Sequence, residues 1–105
     1  DPETWSPINN LAMLLVKQGE LEEAEALYRD LLDRCDGVVP RTHPYFAIFQ
    51  NNFGECLTLR GKFEEAQANL EESRNSMLAA FPAGHPRLAK AQERLEQLDQ
   101  RRAAK

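Results

Sequence analysis

One stretch of the chain occurs twice at a fixed spacing, and this repeat limits the possible folds more than any other feature. Residues 9–12, 19 and 22–24 return as residues 51–54, 61 and 64–66, always 42 positions later. The same offset joins Pro40 to Pro82 and His43 to His85. A fixed period of this length is the mark of a stacked helical repeat. The sequence therefore predicts one helical unit written twice, followed by part of a third.

Glycine and proline residues within and between the copies predict where helices start and stop. Gly19 and Gly61 supply the positive φ that ends a helix, and proline follows His43 and His85 where new helices begin. Helices joined by such short turns lie antiparallel. We expect an all-α fold of tandem helical hairpins in one domain, residues 1–105, with repeat 1 at about 2–39 and repeat 2 at about 44–81. A capping helix at about 86–102 closes it.

Apolar residues recur at the i, i+3, i+4 spacing of one buried helical face. Small residues at matched positions, Ala12 and Gly54 in the first helices and Ala24 and Ala66 in the second, let the helices cross closely. The predicted inward residues are Ile8, Leu11, Ala12, Leu15 and Val16; Leu21, Ala24, Leu27, Tyr28, Leu31, Leu32 and Cys35; Phe46, Phe49, Phe53, Cys56 and Leu57; Phe63, Ala66, Leu70, Met77 and Leu78; and Leu88, Ala91, Leu95 and Leu98.

Three local features stay open at this point. Pro7 has no N–H for a bond to Glu3, so the first helix either begins or bends there. Val38 and Val39 either extend the second helix or pack at its end. Ser73 stands where the first copy has a leucine, so the outer packing of the second copy is not fixed by the repeat.

Charge and hydropathy exclude several partners. Residues 87–105 carry six basic and three acidic side chains, whereas the rest carries seven basic and fourteen acidic ones. An acidic body argues against general nucleic-acid binding, which needs a broad positive face. The longest apolar run, residues 11–16, is far below the ~20 residues that span a bilayer. We therefore expect neither a nucleic-acid nor a membrane partner.

The cysteines and the start of the chain bear on its location. Cys35 and Cys56 show no CxxC spacing, and we expect two reduced, partly buried thiols. This favours a reducing compartment, and we expect a cytoplasmic protein. No basic and apolar leader opens the chain, and the start at Asp1 suggests an excised domain or a processed product.

The residues that could carry catalysis have simpler explanations. His43 and His85 each precede a proline at a helix start, which favours a capping role over a metal or catalytic pair. The glutamate pairs at 22–23, 64–65 and 71–72 are best read as solvated carboxylates. No phosphate-binding glycine loop and no nucleophile elbow is present. We predict no enzyme activity and no cofactor.

The repeated Asn-Asn, the glycine turn and the Glu-Glu-Ala start of the second helix resemble the tetratricopeptide repeat. The 42-residue period and the His-Pro before each first helix are similar to its kinesin-light-chain-like subgroup. The resemblance covers nearly the whole chain. It implies a right-handed superhelix that binds peptides or protein segments in a concave groove and is not an enzyme.

The resemblance also implies which residues line the groove. Lys90 and Arg94 match the positions at which carboxylate-clamp members hold an acidic peptide end, and Asn52 matches the amide of that clamp. Asn9 and Met13 depart from it, since the clamp has a basic residue and an asparagine there. The implied lining is Asn9, Met13, Val16 and Lys17 from the first helix, Asn51, Asn52, Glu55 and Thr58 from the third, and Lys90, Arg94 and Gln97 from the last.

Each of these assignments has an alternative. The Asn amides either bond the backbone of an extended peptide or tie adjacent helices together. Lys90 and Arg94 either hold a carboxylate or keep an end helix soluble by pairing with acidic neighbours such as Glu93. The leading hypothesis is a module that binds an extended acidic protein segment. The second is a self-associating repeat unit of a larger scaffold, with Trp5 and Ile48 as interface residues of a homo-oligomer.

Overall fold

A computed structural model describes residues 2–104 of the chain, and they form five helices in the predicted order. The helices are α1 (Pro2–Lys17), α2 (Leu21–Cys35), α3 (Pro44–Leu59), α4 (Phe63–Ala80) and α5 (Pro86–Ala103). Helices α1 and α2 form the first hairpin, α3 and α4 form the second, and α5 packs on both helices of the second. The all-α fold of tandem helical hairpins is confirmed.

The turns inside the two hairpins have the same backbone structure. Gly19 has φ 80° and Gly61 has φ 79°, values that only glycine adopts without strain. In each turn, the residue after the glycine donates its N–H to the carbonyl oxygen five positions earlier, at 2.8 Å and 2.9 Å. This hydrogen bond occupies a carbonyl that the end of a helix otherwise leaves unpaired. The glycine signal in the sequence therefore located both turns.

The two histidines cap helices. His43 Nδ1 accepts the N–H of Tyr45, and His85 Nδ1 accepts the N–H of Arg87, both at 3.1 Å. Each interaction pairs an amide of the first helical turn that has no intrahelical partner. The capping interpretation of these residues is confirmed.

The first helix begins at Pro2 and continues through Pro7. Proline suits the first helical position, because its missing N–H has no partner there. Pro7 lies further inside, where a residue with an N–H would donate to the carbonyl oxygen of Glu3. Of the two alternatives predicted for Pro7, the structure therefore excludes the one in which the helix begins there.

The core is centred on α3, of whose sixteen residues eleven are buried. One aromatic pair joins α2 to α3, with the rings of Tyr28 and Phe53 6.2 Å apart. A second joins α1 to α3, with the rings of Trp5 and Phe49 6.5 Å apart and nearly perpendicular. Helix α3 also packs on α4 and α5, so it contacts every other helix and carries the residues that link the two hairpins.

The second hairpin packs most closely at Gly54. A Cβ atom added there would lie 2.5 Å from Cδ2 of Leu70 in α4, so only glycine fits without displacing that leucine. Nearby, Ser73 is fully buried, accepts a hydrogen bond from Asn51 at 2.8 Å and donates one to the carbonyl oxygen of Leu70 at 3.0 Å. Where the first repeat has a leucine, the second repeat therefore has a buried serine that hydrogen bonds hold in place.

Three predictions about burial are wrong. Leu11 is 49% exposed, because the buried stripe of α1 passes through Ala12 and Leu15 instead. Leu78 is 52% exposed, since it follows buried Met77 and points about 100° away from it around the helix. Trp5, expected at an interface, is 1% exposed and packs in the core.

The connector after α2 resolves the alternatives for the two valines. Val39 is half-buried and packs against the core cluster of Trp5 and Phe46, whereas Val38 is exposed. A single bridge of β type joins Asp36 to Val39. The valines therefore follow the helix and do not extend it.

Candidate functional site

Polar side chains connect the first helices of the successive repeats. Asn52 Nδ2 of α3 donates to Asn9 Oδ1 of α1 at 2.9 Å, and both side chains are buried. Arg94 Nη1 of α5 donates to the Oδ1 atoms of Asn51 at 2.9 Å and of Asn52 at 2.6 Å. We call Asn9, Asn51, Asn52, Glu55 and Arg94 the polar ladder, and the surface along α1, α3 and α5 that it underlies the ladder face.

Arg94 is the charged member of the ladder and is 8% exposed. Its Nη2 lies 3.5 Å from Oε1 of half-buried Glu55, and its Nε–H has no partner among residues 2–104. Burial lowers the pKa of Arg94 below its usual value, and the carboxylate of Glu55 opposes this shift. The guanidinium thus remains only partly compensated, which makes it a good neighbour for a further negative charge.

A small recess opens beside Arg94 between α3, α4 and α5. Its cavity volume is about 10 Å³, close to that of one water. Arg87 and Lys90 stand exposed at its edge, and they lie seven and four residues before Arg94 on the same helix. We call Arg87, Lys90 and Arg94 the basic recess. Its other lining residues are Ile48, Asn51, Asn52 and Met77.

Lys90 is, with Arg87, one of the two accessible cations of the recess. Its side chain is exposed, and its Nζ lies 3.6 Å from Oε2 of Glu93, which is also exposed. An ion pair of this kind contributes roughly 0–1 kcal/mol in water, so an incoming carboxylate can displace it. The predicted pairing with Glu93 exists, and it leaves Lys90 accessible.

The remaining predicted groove residues differ in accessibility. Met13 and Lys17 are exposed on α1, and Met13 Sδ accepts a weak hydrogen bond from Asn9 Nδ2 at 3.5 Å. Gln97 and Val16 are half-buried. Thr58 is buried and donates to the carbonyl oxygen of Gly54 at 2.9 Å, so its expected place in the groove lining is wrong.

The amides of the ladder are already engaged inside the protein. Asn51 is buried, donates to Ser73 and accepts from Arg94, so it supports the recess from below and offers no free amide to a ligand. Asn9 and Asn52 bond each other and are also buried. Of the two interpretations of the asparagines, the structure shows the one in which they tie helices together.

Arg87 is a residue of the site that sequence reasoning missed. The signal was present, because Arg87, Lys90 and Arg94 follow the i, i+3, i+7 spacing of one helical face. In the sequence Ser73 is only a departure from the repeat, whereas in the structure it holds Asn51 in place. The sequence does not show this contact, because it depends on how α3 and α4 are rotated against each other.

The described part of the chain contains neither a metal centre nor a membrane-spanning helix. Within residues 2–104, no group of three His, Cys, Asp or Glu side chains is placed to hold a metal ion. The same part of the chain contains no helix that is both long and apolar enough to cross a membrane. The exposed side chains along the ladder face include the cations Lys17, Arg87 and Lys90, which can form charge-assisted hydrogen bonds with a carboxylate.

Tandem hairpins joined through their first helices define an α-helical repeat protein. A family model for the tetratricopeptide repeat matches residues 3–79. The chain belongs to the tetratricopeptide repeat family, whose repeats are a non-enzymatic module and generally mediate protein–protein interaction. The search for similar curated proteins found no match.

Proposed function

We propose that the ladder face binds an extended acidic segment of a partner protein and holds one of its carboxylates at the basic recess. The observation that carries this proposal is the buried guanidinium of Arg94. Among residues 2–104 its Nε–H has no partner, and the carboxylate in direct contact with it is that of Glu55. A ligand carboxylate at the mouth of the recess would meet Lys90 and Arg87 directly. Charge-assisted hydrogen bonds of this type are roughly twice as strong as neutral ones.

The ladder gives the recess a fixed shape. Asn51 and Asn52 both accept from Arg94, and Asn51 is held in turn by Ser73. A binding site whose side chains are already ordered loses less conformational entropy on binding. At the α1 end of the same face, exposed Lys17 and Met13 would contact the remainder of the segment through charge and apolar surface.

Two finer assignments belong with this proposal. The 42-residue period and the histidine caps at His43 and His85 support membership of the kinesin-light-chain-like subgroup. The buried free thiols of Cys35 and Cys56 support a reducing, cytoplasmic location.

The test measures the affinity of the full chain for a short dye-labelled peptide of aspartate, serine and glycine, by fluorescence anisotropy. The variant is Arg87→Glu with Lys90→Glu, because both side chains are exposed and their replacement leaves the core intact. Arg94 is unsuitable, since Arg94→Glu would bury a carboxylate beside Glu55. We expect the double variant to weaken binding by about tenfold or more.

The matched control is Arg34→Glu with Arg101→Glu, which makes the same change in net charge at exposed positions outside the recess. We expect it to change the affinity by only about twofold. A second peptide with asparagine in place of aspartate should bind weakly to every form of the protein. Equal affinities for the recess variant and the control variant would contradict the proposed site.

A further inference from the structure

Because the repeat period is 42 residues, each residue on the outer surface of α1 has an equivalent residue in α3 and another in α5. Leu11 corresponds to Phe53 and Leu95, and Leu14 corresponds to Cys56 and Leu98. The second helix of the preceding hairpin covers these positions in both later copies. Phe53 packs on Tyr28 of α2, and Leu98 shares a buried cluster with Leu70 of α4. In α1, Leu11 and Leu14 are each 49% exposed.

The opposite end of the molecule is constructed differently. Where α3 packs on its own second helix, Gln50 donates to Asn69 at 3.3 Å and Gly54 lies against Leu70. The matching positions of α5 carry the exposed polar side chains Gln92 and Glu96, and exposed Asp99 stands where α3 has buried Leu57. The C-terminal end is therefore suited to water, whereas the N-terminal end retains leucines. This difference makes the α1 end the more apolar of the two ends of residues 2–104.

Charged residues of α2 at matched positions of the repeat indicate the chemistry of the partner. Arg29 of α2, which covers α3, bonds Glu65 through both ends of its guanidinium, at 2.8 Å and 2.9 Å. The counterpart of Glu65 in the first hairpin is Glu23, which is exposed. Glu23 lines a shallow depression of about 410 Å³ together with Glu20 and Glu22. An approaching helix with an arginine at the position of Arg29 would meet these acids.

We propose that Leu11, Leu14 and Glu23 form a second docking surface, the α1 end face, which takes an amphipathic helix from a partner protein. The helix would carry an apolar stripe, and an arginine would directly follow the central apolar residue of that stripe, as Arg29 follows Tyr28 in α2. The stripe would cover the leucines as α4 covers Leu98. This goes beyond the proposed function, because the docked helix would leave the basic recess on α5 free for its own ligand. Leu14 shares a depression with Met13 and Lys17, so the two surfaces adjoin at the α1 end of the ladder face.

The probe is a synthetic peptide of residues 20–36 with Cys35→Ser, which reproduces the helix that covers the equivalent surface of α3. It is titrated into isotope-labelled full-length chain, and amide chemical shifts are followed by NMR. We expect shifts concentrated around Leu11, Leu14 and Glu23. Leu14→Glu should weaken binding by about tenfold, because it places a charge in an apolar contact. Leu78→Glu is the control, since Leu78 is exposed to a similar degree on α4.

A charge reversal tests the orientation of the helix. Arg29→Glu in the peptide should weaken binding to the unaltered chain, and Glu23→Arg in the chain should restore binding of that peptide. Shifts confined to the ladder face, or equal effects of Leu14→Glu and Leu78→Glu, would overturn the proposal. A concentration-dependent dimer that Leu14→Glu abolishes would also overturn it, by assigning the face to a second copy. The recess variant Arg87→Glu with Lys90→Glu should leave peptide binding unchanged, which separates this test from that of the ladder face.

Discussion

Glu25 shows how a single buried carboxylate joins the two hairpins. Its carboxylate accepts hydrogen bonds from Arg29 of its own helix at 3.0 Å, from Arg60 at 3.0 Å and from Lys62 at 2.8 Å. Burial by itself raises the pKa of Glu25. The hydrogen bonds and charges of Lys62 and Arg29 outweigh this effect and hold the pKa below its usual value. The charged form of Glu25 therefore stabilises the folded state.

We predict that Glu25→Gln lowers the free energy of unfolding by about 1–3 kcal/mol near neutral pH, because three cations lose their charged acceptor. Since the folded pKa is depressed, this stabilisation is present above the unfolded pKa of roughly 4.3 and is lost as the pH falls through the folded value. Urea unfolding at neutral and at acidic pH measures the effect. Exposed Glu64→Gln is the control, and a gap of equal size at both pH values would contradict the prediction.

Individual residues also mark the limit of the sequence-based prediction. The histidine caps and the close packing at Gly54 follow from local spacing, so they could be predicted. Asn9 bonds Asn52 and Asn51 bonds Arg94, each 43 residues apart, one more than the repeat period. That offset depends on the rotation of each helix against the next. The sequence therefore left the role of the asparagines open.

At the scale of elements, the sequence predicts each helix from three signals: the residues that start it, the residues that end it and the spacing of its buried apolar side chains. The helices of the second hairpin were predicted closely, because proline, glycine and apolar spacing agree there. Helix α1 was harder to predict, because it contains a proline inside a run of good apolar spacing. Tertiary packing decides such a case. Buried Trp5 lies before Pro7 and anchors the first turn to Phe49 of α3.

The two prolines of α1 give a matched pair of variants. We predict that Pro7→Ala raises the free energy of unfolding by about 1–3 kcal/mol, because it adds an N–H that can bond the carbonyl of Glu3. Pro2→Ala should change it by only a few tenths, roughly, since the first helical position has no intrahelical partner for an N–H. Thermal unfolding followed by circular dichroism measures both. A destabilised Pro7→Ala variant would mean that the helix needs the rigid ring.

At the scale of the whole molecule, the burial of α3 makes the second hairpin the centre and α1 the more open edge. Helix α3 contacts all four other helices, whereas the outer surface of α1 leaves Leu11 and Leu14 exposed. Local openings in a protein cost between about zero and the full free energy of unfolding, depending on how many contacts they break. Stability should therefore fall from the middle of the chain toward its N-terminal end.

Hydrogen exchange measured by mass spectrometry tests this gradient. We predict that amides in α3 exchange more slowly than those in α1 by roughly tenfold or more, which corresponds to about 1.4 kcal/mol of opening free energy. Addition of a helix that covers the α1 end face should slow exchange in α1 and reduce the difference. Equal protection of the two helices in the free chain would show that it opens only as one cooperative unit.

The two cysteines have a consequence of a different kind. Cys35 ends α2, Cys56 lies within α3, both are free and buried, and burial raises the pKa of each thiol to about 11. The reactive thiolate is therefore scarce at neutral pH, and an alkylating reagent reaches the sulfur only after the surrounding helices separate. The rate at which each native thiol is alkylated therefore reports how often the helices around it separate. There is one such thiol in each hairpin.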